Sequence, residues 1–267
     1  MIRVLVGILS MYFIWGCKPE IAPPENGYDK LKESEAGLIV IKAIDRAGGW
    51  DNWRSKDNFS FYKNITHLDS SGAVEKNVRQ HHIYNLKGGF KARMQWQIGD
   101  DKFLIINNGS EAKKYKNGIE LTDMNSKNEA WNSSYGSHYV IGMPYKLADP
   151  GTRLTYEGID STTLDKPVHA VKVEYATSAG STGGMHIWWY YFDTETFDLA
   201  GNYLNYGEGF SITTYELFKE IGSHKIHNKR HSYISNDLKE RVMLRTIYEN
   251  EEMAFNQNID KNTFELL

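Results

Sequence analysis

Residues 185–206, MHIWWYYFDTETFDLAGNYLNY, decide the fold class. Ile187, Trp188, Trp189, Tyr190, Tyr191 and Phe192 are bulky residues suited to a pleated surface, and successive side chains of a strand point to opposite faces. Both faces of this strand are therefore covered. Asp193-Thr194-Glu195-Thr196 supplies turn chemistry, and Leu199 to Tyr206 reads as the returning strand, with Gly201 at a bulge or a close approach. The stretch predicts the central hairpin of a large antiparallel sheet. Helices are expected on one face, and an ordinary sandwich core or a ligand cavity on the other.

Period-two patterning extends on both sides of the hairpin. Phe59, Phe61 and Ile65 alternate with Ser60, Tyr62, Asn64 and Thr66, and Asp69-Ser70-Ser71-Gly72 follows as a turn. Val78 to Leu86 runs to Gly88-Gly89. Phe90, Ala92, Met94, Trp96 and Ile98 then alternate with Lys91, Arg93, Gln95 and Gln97 as a half-buried strand. Asn108-Gly109 and Asn117-Gly118 flank a short strand, Ala112 to Lys116, and read as two-residue hairpin turns with both residues at positive φ. Val171, Val173 and Tyr175 alternate before a Gly/Ser/Thr loop, Thr177 to Gly184. Phe210 to Phe218, Lys225 to Tyr233 and Arg241 to Glu249 complete a set of about eleven strands.

Two segments depart from this period. Leu38, Ile41 and Ile44 recur at three-residue spacing before Gly48-Gly49, which predicts an amphipathic helix of about four turns, with Trp50 and Trp53 packing it on the sheet. Trp131, Tyr135, Tyr139 and Met143 recur every four residues up to Pro144, a helical stripe that fills the concave face of the sheet.

The chain has 267 residues, 40% hydrophobic and 13% aromatic, enough for one large domain. Its formal charge is -3 and no basic block tracks a phosphate backbone, so nucleic acid is not an expected partner. The start, MIRVLVGILSMYFIWGCKPE, places Arg3 before an apolar run from Val4 to Trp15, the form of a secretory signal and too short to span a bilayer. Ile14-Trp15-Gly16-Cys17 resembles the lipobox of bacterial lipoproteins, with Trp15 departing from the usual residue type. Cys17 is the single cysteine, which excludes a disulfide within the chain. The expected division is a signal over residues 1–16, a lipidated Cys17 with a Pro-rich tether over 17–29, and one domain over 30–267.

Catalytic signatures are missing: there is no G-x-S-x-G, H-E-x-x-H, Walker loop or C-x-x-C. His224, His227 and His231, with His81-His82, invite a metal reading, but strand alternation puts His227 and His231 on one face and His224 on the other, without a nearby carboxylate. Asp193 and Glu195 read as turn residues rather than an acid and base pair. The sequons at Asn58, Asn64, Asn108 and Asn132 carry weight only in a eukaryotic secreted protein. No enzyme activity, cofactor or metal is expected.

An N-terminal helix ending in Gly-Gly-Trp, a long antiparallel meander, a midway helical insertion and a late strand pair joined through Phe192-Asp193-Thr194-Glu195-Thr196 together resemble the LolA/LolB-like lipoprotein-carrier fold. Met143-Pro144-Tyr145-Lys146-Leu147-Ala148-Asp149-Pro150-Gly151, and Tyr248-Glu249-Asn250 with Phe264, look like an uncharacterised family of bacterial lipoproteins related to it. The resemblance spans Leu38 to Leu267. It implies a mainly β (α+β) protein, a curved, unclosed antiparallel half-barrel wrapped around helices, with an apolar cavity that takes acyl chains in carriers. Alternation alone nominates Phe90, Met94, Trp96, Trp131, Tyr135, Tyr139, Trp188 and Tyr190 as its lining.

The expected function is a membrane-anchored lipoprotein of the cell envelope, at the outer membrane, facing the periplasm or the surface. It would bind or carry a lipid or other apolar small molecule. The alternatives are an envelope scaffold lipoprotein with a self-filled core and an unidentified protein partner, and a hydrolase with an unrecognised site.

Overall fold

The computed structural model describes residues 27–175 and 186–267. The predicted signal, Cys17, most of the tether and the loop 177–184 lie outside the described residues. Three helices come first: α1 (Gly27–Leu31), α2 (Glu35–Arg46) and α3 (Trp50–Arg54). Helix α1 thus begins inside the predicted tether. The meander follows with β1 (Asn58–Leu68), β2 (Val74–Asn85), β3 (Lys91–Ile98), β4 (Asp101–Asn107), β5 (Ala112–Lys116) and β6 (Ile119–Glu120). Helix α4 (Met124–Ile141) and a 3-10 turn (Tyr145–Ala148) cross over to β7 (Thr152–Asp160), β8 (Val168–Tyr175), β9 (Ile187–Asp193), β10 (Leu199–Asn205), β11 (Phe210–Ile221), β12 (His224–Ser235) and β13 (Arg241–Phe255). Thirteen strands exceed the expected eleven in part because β6 is two residues long, too short for a periodic signal.

All thirteen form one sheet in the order β6-β5-β4-β3-β2-β1-β13-β12-β11-β10-β9-β8-β7, and each strand pair is antiparallel. The chain starts at the middle, meanders to one edge, crosses through α4 to the other edge, and meanders back until β13 pairs with β1. Edges β6 and β7 stay apart, so the sheet is a curved, unclosed half-barrel. The β9–β10 hairpin lies third and fourth from the β7 edge, so it is not central. Its two-sided burial has another cause. Tyr190 and Phe192 face the helices on the concave side, while Tyr191 packs with Val168, Ala170, Ala200, Tyr203 and Ile212 on the convex side, roofed by Leu164.

Turn chemistry fixes much of the register. The Asp193 carboxylate accepts the Glu195 and Thr196 N–H groups at 3.1 and 3.0 Å, and the Asp69 carboxylate accepts those of Ser71 and Ala73. Asn117 and Gly118, at φ 53 and 83, make the expected two-residue hairpin. The other pair does not: only Gly109 is at positive φ, and the Asn108 side chain instead accepts the N–H groups of Ser110 and Glu111 in a longer loop. Gly201 is both a bulge and a close approach, since the pairing with β9 slips there and a Cβ would meet Thr213 O at 2.7 Å and Leu164.

Helix α2 is capped by Ser34, whose hydroxyl accepts the Gly37 N–H at 3.0 Å. Its buried stripe is Ala36, Ile39, Val40, Ala43 and Ile44, whereas Leu38 is 50% exposed. Strict three-residue spacing drifts around a 3.6-residue helix, so Leu38 and Ile44 cannot share the inward line. Small residues let the helix approach closely; a Cβ on Gly37 would collide with the Leu31 carbonyl. Trp53 stacks on Tyr145 with centroids 4.4 Å apart and meets His224 and Phe255 edge-on.

Candidate functional site

Along every strand that crosses the concave face, the inward residues change from one end to the other. One end is plugged by α1–α3 and the 3-10 turn, over Phe59, Phe61, Phe192, Leu199, Ile226 and Met253. Moving along the same strands away from the plug, the inward positions open onto a cavity of about 940 Å³. Its base carries Lys63 on β1, Arg230 on β12 and Asn202 on β10; the next layer carries Ile65, Ser232, Thr213, Leu204 and Trp188, with Tyr248 from β13. Asn132, Ser133 and residues 135–140 of α4 form the opposite wall, and Lys146, Asp149 and Pro150 close one side.

Helix α4 stands off from this floor because of the stripe it turns inward. Its buried residues are Ser126, Ala130, Ser134, His138 and Ile141. Ala130 packs on Met94 and Ile105, Ser134 accepts a hydrogen bond from Asn107 Nδ2 at 3.0 Å, and His138 stacks on Phe90 with centroids 4.6 Å apart. The aromatic stripe expected to fill the concave face is instead set to one side. Tyr135 leans on Phe90, and the Tyr139 hydroxyl hydrogen-bonds that of Tyr175.

Of the eight residues nominated from alternation, Phe90, Met94, Tyr135, Tyr139 and Trp188 line the cavity. The other three lie elsewhere. Trp96 stacks on Phe103 with centroids 5.3 Å apart, under the Lys114 ammonium. Trp131 rests against Tyr135, outside the lining. Tyr190 is fully buried one layer below Trp188, in the plug.

Sequence reasoning missed the polar base. Lys63 is in phase with Phe59, Phe61 and Ile65, a charge at an inward position, and that break in the pattern was the available signal. Arg230 is 6% exposed. Its phase is hidden by register shifts in the β11–β12 pairing, which skip Glu216 on β11 and Asn228 on β12. The same irregularity separates the histidines expected to share a face: His227 abuts Tyr215 at 4.9 Å on the concave side, while His231 pairs with Glu216 outside. Among the described residues no group of three His, Cys, Asp or Glu is placed to hold a metal.

Electrostatics single out this base. Burial, and secondly the Arg230 charge, lower the Lys63 ammonium from 10.5 to about 7. Both cations approach the ring of Tyr248, Lys63 Nζ at 5.0 Å and Arg230 Cζ at 4.7 Å from its centroid. The Arg230 guanidinium also lies 5.8 Å from the centroid of the Tyr215 ring, and Ser137 accepts from Lys63 at 3.4 Å. Among the described residues neither cation has a carboxylate within ion-pairing distance. Burial holds the His82 and His138 imidazoles well below their ordinary 6.5, so both are neutral at pH 7.

A domain from Vibrio parahaemolyticus described as an outer membrane lipoprotein-sorting protein superposes with a TM-score of 0.54 at 10% identity, over 89% of this chain and 97% of its own. A LolA superfamily protein from Nitrosomonas europaea gives 0.55 at 10% identity, over 86% and 97%. A DUF1329 family protein from Desulfovibrio piger gives 0.52 at 7% identity, over the same shares. The protein therefore has the LolA-like lipoprotein-carrier fold. No curated protein matches the chain in sequence. The model of the family of unknown function DUF6503 matches residues 34–239, and the chain belongs to that family.

Proposed function

We propose that the protein is a membrane-tethered carrier that holds a lipid or another apolar ligand in the cavity beneath α4. The observation that supports this reading is the cavity: about 940 Å³, in the upper range of ordinary ligand sites at ~300–1,000 Å³, with Phe90, Met94, Val140, Trp188 and Leu204 on its walls. An acyl chain laid along those walls gains from leaving water, while the helical plug stops it from passing through. The similarity to a domain described as lipoprotein-sorting agrees with an apolar cargo. Binding, rather than catalysis, is the role assigned to the site.

Chain length tests the reading. At about 0.8 kcal/mol per buried CH₂, shortening an acyl probe by four carbons should weaken binding by about 3 kcal/mol, more than roughly a hundredfold. Displacement titrations on the full-length protein measure this, and chain-length-independent or absent binding overturns it.

The tether is part of the same proposal: a signal over residues 1–16, an acylated Cys17, and a linker to the domain at 30–267, placing the protein in the cell envelope at a membrane. One acyl chain is only a marginal anchor, so the mature protein should carry more than one. Cys17→Ser should abolish palmitate incorporation and move the protein to the soluble fraction; membrane retention without label overturns the anchor.

A further inference from the structure

The carrier reading accounts for the apolar walls of the cavity and leaves its base unexplained. A buried charge is costly unless paired, and arginine does not shed its proton to escape that cost. Arg230 is 6% exposed, and its Nε has no hydrogen-bond partner. Lys63 lies beside it, across the ring of Tyr248, and the two repel. A second pair in the cavity shows the contrast: Lys146 is ion-paired with Asp149. Aromatic faces compensate the two base cations only in part, by electrostatic attraction that is weaker than a formal counter-charge. Two cations and the Ser137 hydroxyl therefore converge, with no carboxylate of the described residues in ion-pairing distance, at the deep end of a cavity whose next layer outward is Ile65, Leu204 and Trp188.

We propose that the cargo is an anionic amphiphile that enters head first, its carboxylate or phosphate oxygens held between Lys63 and Arg230 and its hydrocarbon tail lying outward beneath α4. The proposal rests on the carrier reading and narrows it to a charge class and an orientation. The polarity runs opposite to that of a purely greasy pocket, where a headgroup stays at the mouth. Planar guanidinium and compact ammonium together suit an oxyanion with two or three acceptor oxygens. A ligand that completes the base also restores the protonated form of Lys63, because an opposite charge favours the charged state.

Photo-crosslinking on the full-length protein in membranes tests this, using diazirine-bearing palmitic acid, the matching palmityl alcohol and a diazirine phosphatidylglycerol, with labelled peptides mapped by mass spectrometry. Charge-assisted hydrogen bonds predict that the acid labels peptides of β9, β10 and α4 roughly ten- to a hundredfold more than the alcohol does. Phosphatidylglycerol labelling at the same peptides assigns the oxyanion to a lipid phosphate, and labelling by the acid alone assigns it to a carboxylate. Arg230→Met and Lys63→Met should each erase the preference while alcohol labelling is kept, and Arg230→Lys should restore part of it. Alcohol labelling of each variant, together with its thermal melt, shows that the fold and the walls are intact. Equal labelling by acid and alcohol in the wild type overturns the headgroup site and leaves the carrier reading standing. No labelling by any of the three probes overturns both. Abolition of acid labelling by millimolar inorganic phosphate also overturns it, since the base would then take a free anion without a tail.

Discussion

The two ends of the concave face are built from the same strands and end differently. At one end Phe59, Phe61, Phe192, Ile226 and Met253 meet α2, whose inward stripe of Ala36, Ile39, Val40, Ala43 and Ile44 is apolar and small enough to pack closely. At the other end Ile65, Tyr248, Ser232 and Trp188 face α4, which turns Ala130, Ser134 and His138 toward β3–β5 and leaves its aromatic residues to one side. Strand patterning alone does not separate a filled core from a binding cavity. The helix laid across the strands decides it, through the bulk and polarity of the single stripe that it turns inward.

The largest expected effect tests whether the two ends differ in packing. Phe59→Ala, at 0% exposure in the plug, should cost about 3–5 kcal/mol in urea melts. Ile65→Ala, on the cavity wall, should cost less than about 2 kcal/mol, because part of its surface has no packing partner to lose. Equal costs would mean that the second end is packed and not open.

An intermediate effect separates the ends by pH. His82, His138 and His227 are held neutral by burial, and His224 is lowered to about 4. Below their unfolded value of 6.5 the unfolded chain binds protons that the native state does not, so stability should fall as pH drops from 6.5 toward 4. Each neutral site contributes up to about 1.4 kcal/mol per pH unit over that interval. Lys63 acts in a higher window. Its native value of about 7 lies below the unfolded 10.5, so the unfolded chain again holds the extra proton and stability should rise between pH 7 and the onset of tyrosine ionisation near 10. Lys63→Met should raise the melting temperature at pH 7 by a few degrees and remove the upper slope, leaving the acid limb unchanged. Thermal melts across pH check both limbs; an unchanged upper slope in the variant would show that Lys63 is solvated and ordinary.

The smallest effect concerns helix phase at the plugged end. Leu38→Ala should change stability by about 0.5 kcal/mol or less, whereas Val40→Ala, at 0% exposure, should cost more than about 1 kcal/mol. Comparable losses would restore the Leu38, Ile41, Ile44 stripe as the buried one.

The sequence by itself determined the class of fold and most of its punctuation. Alternation in β1, β3 and β8 is a local property of a half-buried strand, and turns such as Asp193–Thr196 and Asn117-Gly118 are fixed by side chains that bond their own backbone or tolerate positive φ. It also determined that 131–141 is helical, since Trp131, Tyr135 and Tyr139 recur every four residues up to Pro144 while Ser133 and Ser137, which would share their face in a strand, are polar. Tertiary structure decided where the hairpin at 187–205 sits in the sheet, because strand order follows from the long crossover through α4 and from the return of β13 to β1. It also decided which of the nominated aromatic residues meet across the cavity. Phe90, Tyr135 and Tyr139 are drawn together by helix orientation, while Trp96 and Tyr190 carry the same local pattern and are taken up by Phe103 and by the plug. The cationic base was settled only there. Lys63 and Arg230 stand 167 positions apart on strands that flank β13, and a β-bulge hides the phase of one of them; neither is a signal that a local window contains.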